Sequence, residues 1–351
     1  MLSPADCYIH GCFFRFFKLL MHNPEYHNFH NTNNLIFTIH MSYYLNTTDE
    51  YYLHDKDSLN WELTVCNALQ PEKSPCRKVL QNDNHFGCQL FYFLNDFIPF
   101  SDLQNILEVG GGFGYLMRDF LTLAPHLRAT MLDISPYLLA KQKNCLTAHN
   151  VAFLERDIMC MKISELQHYD LAILNENLGD FPTLVTQSPQ GQSANFPTNR
   201  YLDKLTYFRQ TYHLTLPPEE NINIGALEVL DNLCLAGIPY IYLSEHSCEA
   251  TLPPSLKPYI HFAATVTPER ISLKNHDEYT IKFSHLEKLA QAHNYQVIRG
   301  QFIDFLPLNC SDRVRTALRL STPFSDEQEI IQQFVYDLYK YEYLVLIKGG
   351  E

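Results

Sequence analysis

Leu107-Glu108-Val109-Gly110-Gly111-Gly112-Phe113-Gly114 is the stretch on which the fold turns. The apolar run 105–109 before it reads as a short buried strand. Residues 115–124 after it read as a helix with Leu116, Met117, Phe120 and Leu121 on one face and Pro125 beyond its end. The glycines between let the backbone turn sharply and leave room for a ligand to lie against the main chain. Only 13 of 351 residues are glycine, below the ~7% usual in proteins, yet four of them fall within positions 110–114. A glycine turn that ends a strand and opens a helix presents unpaired N–H groups where ligands gather in an open α/β sheet.

Working outward, residues 128–132 read as a second strand closing at Asp133. Ser135-Pro136 starts a helix, with a capping hydroxyl before a proline at the first helical position. Strands three and four are expected at 151–154 and 169–174 (YDLAIL). After an interval come a helix at 225–236, a strand at 238–243 (IPYIYL), a helix at 284–293 and a strand at 295–305. A helix at 326–340 and a strand at 343–348 (YLVLIK) complete the chain. This alternation predicts an α/β fold with a doubly wound, mostly parallel sheet covered on both faces. Upstream, 87–97 reads as a helix stopped by Pro99.

The expected organisation is a poorly defined leader over 1–40, an N-terminal helical segment over 41–100 and the sheet-bearing domain over 101–351. The leader holds five His and five Asn, patches of Phe and few charges, and matches neither a secretory signal nor a transit peptide. Within the main domain, 181–222 breaks the rhythm with Pro182, Pro189, Pro197, Pro217 and Pro218, and reads as a functional insertion such as a lid.

Composition bounds the function. Hydrophobic residues make up 46% and charged residues 19%, which excludes a disordered chain. The net charge of −13 and the absence of any basic run argue against nucleic acid as a partner. No apolar stretch is long enough to span a membrane. The ten cysteines form no C-x-x-C pair, so neither a zinc site nor a disulfide framework is expected, and a reducing, cytoplasmic compartment fits best.

The loop fails the dinucleotide fingerprint G-x-G-x-x-G, because Tyr115 or Met117 stands where the last glycine is needed. It fits acidic-x-G-x-G-x-G instead, through Glu108, Gly110, Gly112 and Gly114. This resembles the first motif of the class I S-adenosylmethionine-dependent methyltransferases, whose fold is Rossmann-like. The resemblance implies that the loop cradles the methionine half of the cofactor. It implies that Asp133, with Ile134 beside it, accepts the ribose hydroxyls, and that Asp157 and Ile158 lie near the adenine. Asn175 at the end of strand four joins this expected cofactor set. Alone, the glycines read equally as a tight turn and Asp133 as a helix cap. An NAD-dependent oxidoreductase stays open too, since Asp133 lies 23 residues after Gly110. Phe113, Tyr115 and Phe181 are placed to flank adenine or screen a sulfonium.

The segment Asn175-Glu176-Asn177-Leu178-Gly179-Asp180-Phe181-Pro182 is similar to the post-strand-four segment of MidA-like methyltransferases, which include mitochondrial complex I assembly methyltransferases. Residues 276–305 are similar to that family's C-terminal part, whereas Ser244-Glu245-His246 replaces its Asp-Tyr-Gly. The candidate catalytic residues are Glu176, Glu245 and His246, with Asn175 and Asp180 also at strand ends. His246 offers an imidazole base, and the paired carboxylates Glu176 and Glu245 suit a cationic side chain. The expected partner is a methyl acceptor, a protein side chain or a small molecule, and oligomeric state stays open. A protein that binds the cofactor without catalysis is the competing class.

Overall fold

Seven strands form one sheet: β1 (Asn105–Val109), β2 (Arg128–Asp133), β3 (Val151–Glu155), β4 (Leu171–Asn175), β5 (Tyr240–His246), β6 (Tyr295–Gln301) and β7 (Tyr341–Lys348). Their spatial order is β6-β7-β5-β4-β1-β2-β3. Strands β1 to β5 pair in parallel, and β7 runs antiparallel between β5 and β6. The fold is thus a doubly wound, Rossmann-like α/β type with a mostly parallel sheet. The computed structural model describes residues 43–54, 64–187, 197–260, 264–273, 275–309, 311–319 and 325–349, so the expected leader over 1–40 lies outside it. Residues 41–351 make one unit, to which 41–100 belongs.

Successive side chains of a strand face opposite sides, and each central strand feeds two cores in this way. Ile106, Met131, Ile173, Tyr242 and Val345 enter one, with Leu90, Phe120 and Leu338 from helices Phe86–Leu94, Tyr115–Leu123 and Asp326–Lys340. Their neighbours Leu107, Leu132, Leu174, Leu243 and Leu344 enter the other, with Leu230 and Leu286 from helices Ile224–Ala236 and Phe283–Ala292. Nearly continuous apolar strands are what a sheet covered on both faces requires. Each fully buried side chain of this kind contributes about 1.5–3 kcal/mol. Truncating Ile173, which is 0% exposed at the sheet centre, would cost about 2–5 kcal/mol.

Three elements depart from the sequence reading. β5 runs on through Ser244, Glu245 and His246, because β7 starts at Tyr341 and pairs Tyr341 with His246 and Glu342 with Glu245. These residues therefore belong to the strand and not to a stretch after it. The strand expected over 295–305 ends at Gln301 and passes into a 3-10 turn, Phe302–Asp304. Within 181–222 the described residues are not structureless. Thr183–Val185 pairs with Tyr44–Asn46, and Asn199–Thr211 is a helix. Among the described residues no helix is long and apolar enough to cross a membrane.

The strand order reverses between β1 and β4. In open α/β sheets, ligands bind outside the carboxyl ends of the strands at such a point.

Candidate functional site

The loop after β1 takes its shape from alternating left-handed residues, with φ of +61° at Gly110, +51° at Gly112 and +84° at Gly114. The positive φ strains a side chain at each of the three, but the space around them differs. A Cβ on Gly110 would stand 2.6 Å from Asn177 Nδ2, whereas one on Gly112 would meet no protein atom within 4 Å. At Gly112 the space is open and lies on a cavity wall. Gly114 then precedes the helix Tyr115–Leu123.

A cavity of about 250 Å³ opens at the carboxyl ends of β1 to β4. Gly110, Gly112, Asp133, Ile134, Asp157 and Ile158 line it, so six of the nine expected cofactor residues share one wall system. Asp133 ends β2 and is buried. Its Oδ1 accepts from Ser135 N at 2.9 Å and its Oδ2 from Gln142 Nε2 at 2.9 Å. Burial pushes its carboxyl up to about 6, against the opposing pull of these hydrogen bonds. The helix Pro136–Cys145 is capped by the Ser135 hydroxyl, which accepts from Leu138 N. Asp157 caps the next turn, accepting from Met159 N at 2.8 Å.

The other three expected cofactor residues do not line the cavity. Gly114 sits at the helix start. Glu108 is 2% exposed beneath the loop, and its Oε2 makes no hydrogen bond. Burial, with Asp133's charge adding, pushes the Glu108 carboxyl up to about 8. An acid at an inward position of a central strand faces its own core, which is why the motif's acidic position reads differently in three dimensions. Asn175 braces the strand end: its Oδ1 accepts from Ser244 Oγ at 3.0 Å and its Nδ2 donates to Glu176 Oε1 at 3.1 Å.

Of the candidate catalytic residues, Glu176 reaches the cavity, and Asp180 stands on the same wall. The φ of Glu176 is +56°, and its carboxylate accepts from Val65 N at 2.7 Å and Cys66 N at 3.1 Å. It thereby caps the short helix Val65–Ala68. Burial raises its pKa in spite of these amides. Glu245 and His246 stand off the cavity wall. Glu245 accepts from Gly179 N at 3.2 Å, and burial pushes it up to about 7. His246 packs against Tyr341 with ring centres 3.8 Å apart and the planes tilted by 31°, its nitrogens 3.5 Å from Glu245 and 3.6 Å from Asp337. Burial works against the imidazolium, but Asp337 and Glu245 outweigh it and hold the pKa above the usual value.

No family model and no curated protein matches the chain. Solved structures similar to it include a Burkholderia thailandensis protein bound to S-adenosyl-homocysteine, at 12% identity over 83% of this chain and 79% of that one, with a TM-score of 0.46. The plantazolicin methyltransferase BpumL in complex with S-adenosyl-homocysteine shares 13% identity, over 87% of this chain and 95% of its own, with a TM-score of 0.41. The magnesium protoporphyrin IX methyltransferase of Synechocystis PCC 6803 with bound S-adenosylmethionine shares 12%, over 75% and 80%, with a TM-score of 0.36.

The sequence reading missed several wall residues. Asn177 lines the cavity and donates to Val109 O at 2.6 Å, tying the end of β1 to the turn after β4. Its only local signal is its place beside Glu176. Arg200 and Tyr201, from the insertion, and Asp49 and Tyr52, from the N-terminal segment, also stand on the wall. Nothing in sequence spacing brings these to the loop. Arg200 is paired with Glu228 at 2.7 Å and Arg156, also on the wall, with Glu165 at 2.7 Å. The carboxylates of Asp49, Asp133, Asp157, Glu176 and Asp180 on the same wall leave the cavity with an acidic balance, suited to a cationic ligand.

Proposed function

We propose that the chain is an S-adenosylmethionine-dependent methyltransferase acting on a nitrogen or oxygen acceptor of a protein side chain or small molecule. The observation that carries this reading is the meeting of Gly110, Gly112 and Asp133 in one cavity. The residues fit the cofactor. Open space over Gly112 accommodates a chain lying on the backbone, and a buried carboxylate with a free approach from the cavity accepts paired hydroxyls. The acidic wall favours a ligand carrying sulfonium and ammonium charges.

In this arrangement Gly110 and Gly112 hold the methionine part, Asp133 the ribose, and Asp157 with Ile134 and Ile158 the adenine. Bound S-adenosylmethionine supplies an electrophilic methyl group on a positively charged sulfur. The chain's own part is to orient the acceptor in line, exclude water and, where the acceptor must lose a proton, receive it. Glu176 and Asp180 are acids on the wall beyond the glycine loop; Glu245 and His246 are off it, and Glu245 holds the Gly179 amide of the turn that carries Asp180.

Isothermal titration with S-adenosylmethionine, S-adenosylhomocysteine and NAD tests the reading. The first two are expected to bind and NAD is not. Binding of NAD without S-adenosylhomocysteine would transfer the site to an oxidoreductase.

A second reading, a protein that binds the cofactor for assembly or regulation, is favoured by one observation: Glu176 is engaged as a helix cap, and Glu245 and His246 are off the wall. Transfer of labelled methyl to any component of a lysate separates the two.

A further inference from the structure

We propose that Asp180, His276 and Glu278 form a binding site for a divalent cation at the edge of the cavity. Asp180 closes the turn Leu178–Asp180 after β4 and stands on the cavity wall. His276 and Glu278 come from the far side of the chain, on either side of Asp277 at the start of the short strand Asp277–Tyr279. One ligand atom from each of the three, an imidazole nitrogen and two carboxylate oxygens, lies within 4.8 Å of the other two. Atoms so spaced share a point at worst about 2.8 Å from each, against bond lengths of ~2.0–2.2 Å to such ligands. Side-chain rotation of under an ångström closes that gap.

Two further observations point to a ligand. The His276 side chain is 2% exposed, and its Nδ1 is buried with no hydrogen-bond partner, while Nε2 lies 2.9 Å from Glu278 Oε1. A buried ring nitrogen left unmatched has a standing cost that a cation coordinated at Nδ1 removes. Tyr51 stacks on the ring with centres 3.9 Å apart, so its orientation is set before any ligand arrives. The second observation is charge. Glu278's ion pair is with His276, and the neighbouring cation Arg270 is engaged with Asp277 at 2.9 Å. Two carboxylates thus come together at the His276 imidazole, with His246 a further imidazole within electrostatic reach of Glu278.

The donor set names the class of ion. One imidazole and two carboxylates, with no thiolate, suit Mn²⁺ or Zn²⁺ and disfavour soft ions. Cysteine spacing, which points away from a metal, is silent on such a site because it uses no cysteine. Three protein ligands leave coordination positions open. On the methyltransferase reading, a hydroxyl or carboxylate oxygen of the acceptor would complete the sphere.

The test uses the full chain, treated with chelator and dialysed, and no cofactor, so that failure of the methyltransferase reading leaves it intact. Mn²⁺ is titrated and the free ion followed by electron paramagnetic resonance, with Zn²⁺ as competitor. One equivalent of Mn²⁺ is expected to bind and to be displaced by Zn²⁺. His276→Phe, which keeps the ring against Tyr51, and Glu278→Gln are each expected to weaken Mn²⁺ about tenfold or more. Should His276→Phe fail to fold, Glu278→Gln decides alone. Absence of Mn²⁺ and Zn²⁺ binding in the parent, or equal affinity in parent and folded variants, would overturn the proposal.

Discussion

Gln142 donates its side-chain amide to Asp133, Nε2 to Oδ2 at 2.9 Å, and the same nitrogen lies 3.1 Å from Gly112 O. Gln142 is 0% exposed, on the helix that follows β2. A residue belonging to neither motif thus ties the glycine loop to the acid at the end of the next strand. It does not line the cavity, so it acts as a positioning residue: it sets where Asp133's carboxylate points and where the Gly112 carbonyl lies.

Gln142→Leu keeps the volume and removes both hydrogen bonds. S-adenosylhomocysteine affinity is expected to fall by about 1.5–3 kcal/mol, the scale of a hydrogen bond to a charged group. Calorimetric titration of the folded variant checks this. Parent-like affinity would mean that Asp133 and the loop keep their places without the bridge.

Asp133 also makes binding pH-dependent. On the proposed reading its ionised carboxylate accepts the ribose hydroxyls, and its carboxyl is pushed up to about 6. Affinity for S-adenosylhomocysteine is therefore expected to rise with pH through that region and level off above it. Each pH unit below it costs up to about 1.4 kcal/mol. Asp133→Asn should flatten the profile, and Gln142→Leu should move its midpoint upward by removing a hydrogen bond that favours the ionised form. A flat profile in the parent would detach Asp133 from the ligand.

What could be read from the sequence was what local chemistry decides. β1 came out residue for residue, because an apolar run met a glycine turn. The helix after β2 came out because Ser135 and Pro136 mark its start. Asp133, Asp157 and their following isoleucines are placed by strand ends, so their approach to the cavity was legible too. The reach of β5 through Glu245 and His246 was not legible, because the strand's length depends on pairing with Tyr341 and Glu342, from the far end of the chain. The same holds for Gln142, Asn177 and His276. Their partners are tertiary, and no periodicity announces them.

Glu108 offers a test in stability alone. Its carboxyl is pushed from 4.5 up to about 8 by burial. Between those values the folded chain keeps a proton that the unfolded chain has released, so this group lowers stability as pH rises through the window and costs nothing below it. Glu108→Gln has the shape without the titration. Parent and variant are expected to melt alike near pH 4, and the variant to gain steadily toward pH 8, on the order of 4–5 kcal/mol. Comparing the two cancels the other titrating groups. Parallel melting curves would place an ionised Glu108 in the core with a partner.

Glu176 has two claims on it, and they separate by experiment. As a cap, it satisfies the amides of Val65 and Cys66 at the start of a four-residue helix. As an acid on the cavity wall, it stands where an acceptor proton would go. Glu176→Gln retains a carbonyl oxygen for one amide and the van der Waals shape, but removes the charge and the ability to take a proton. Glu176→Ala frees both amides. If capping is its work, stability should fall by about 1–3 kcal/mol in the alanine variant and by much less in the glutamine variant, with turnover following stability. If it takes the acceptor's proton, the glutamine variant should melt like the parent and bind S-adenosylmethionine within about 1 kcal/mol of it, yet turn over at least tenfold more slowly. The geometry favours the cap, because both carboxylate oxygens already accept hydrogen bonds. We therefore expect melting to separate the two variants, and the glutamine variant to keep most of its turnover once the acceptor is known.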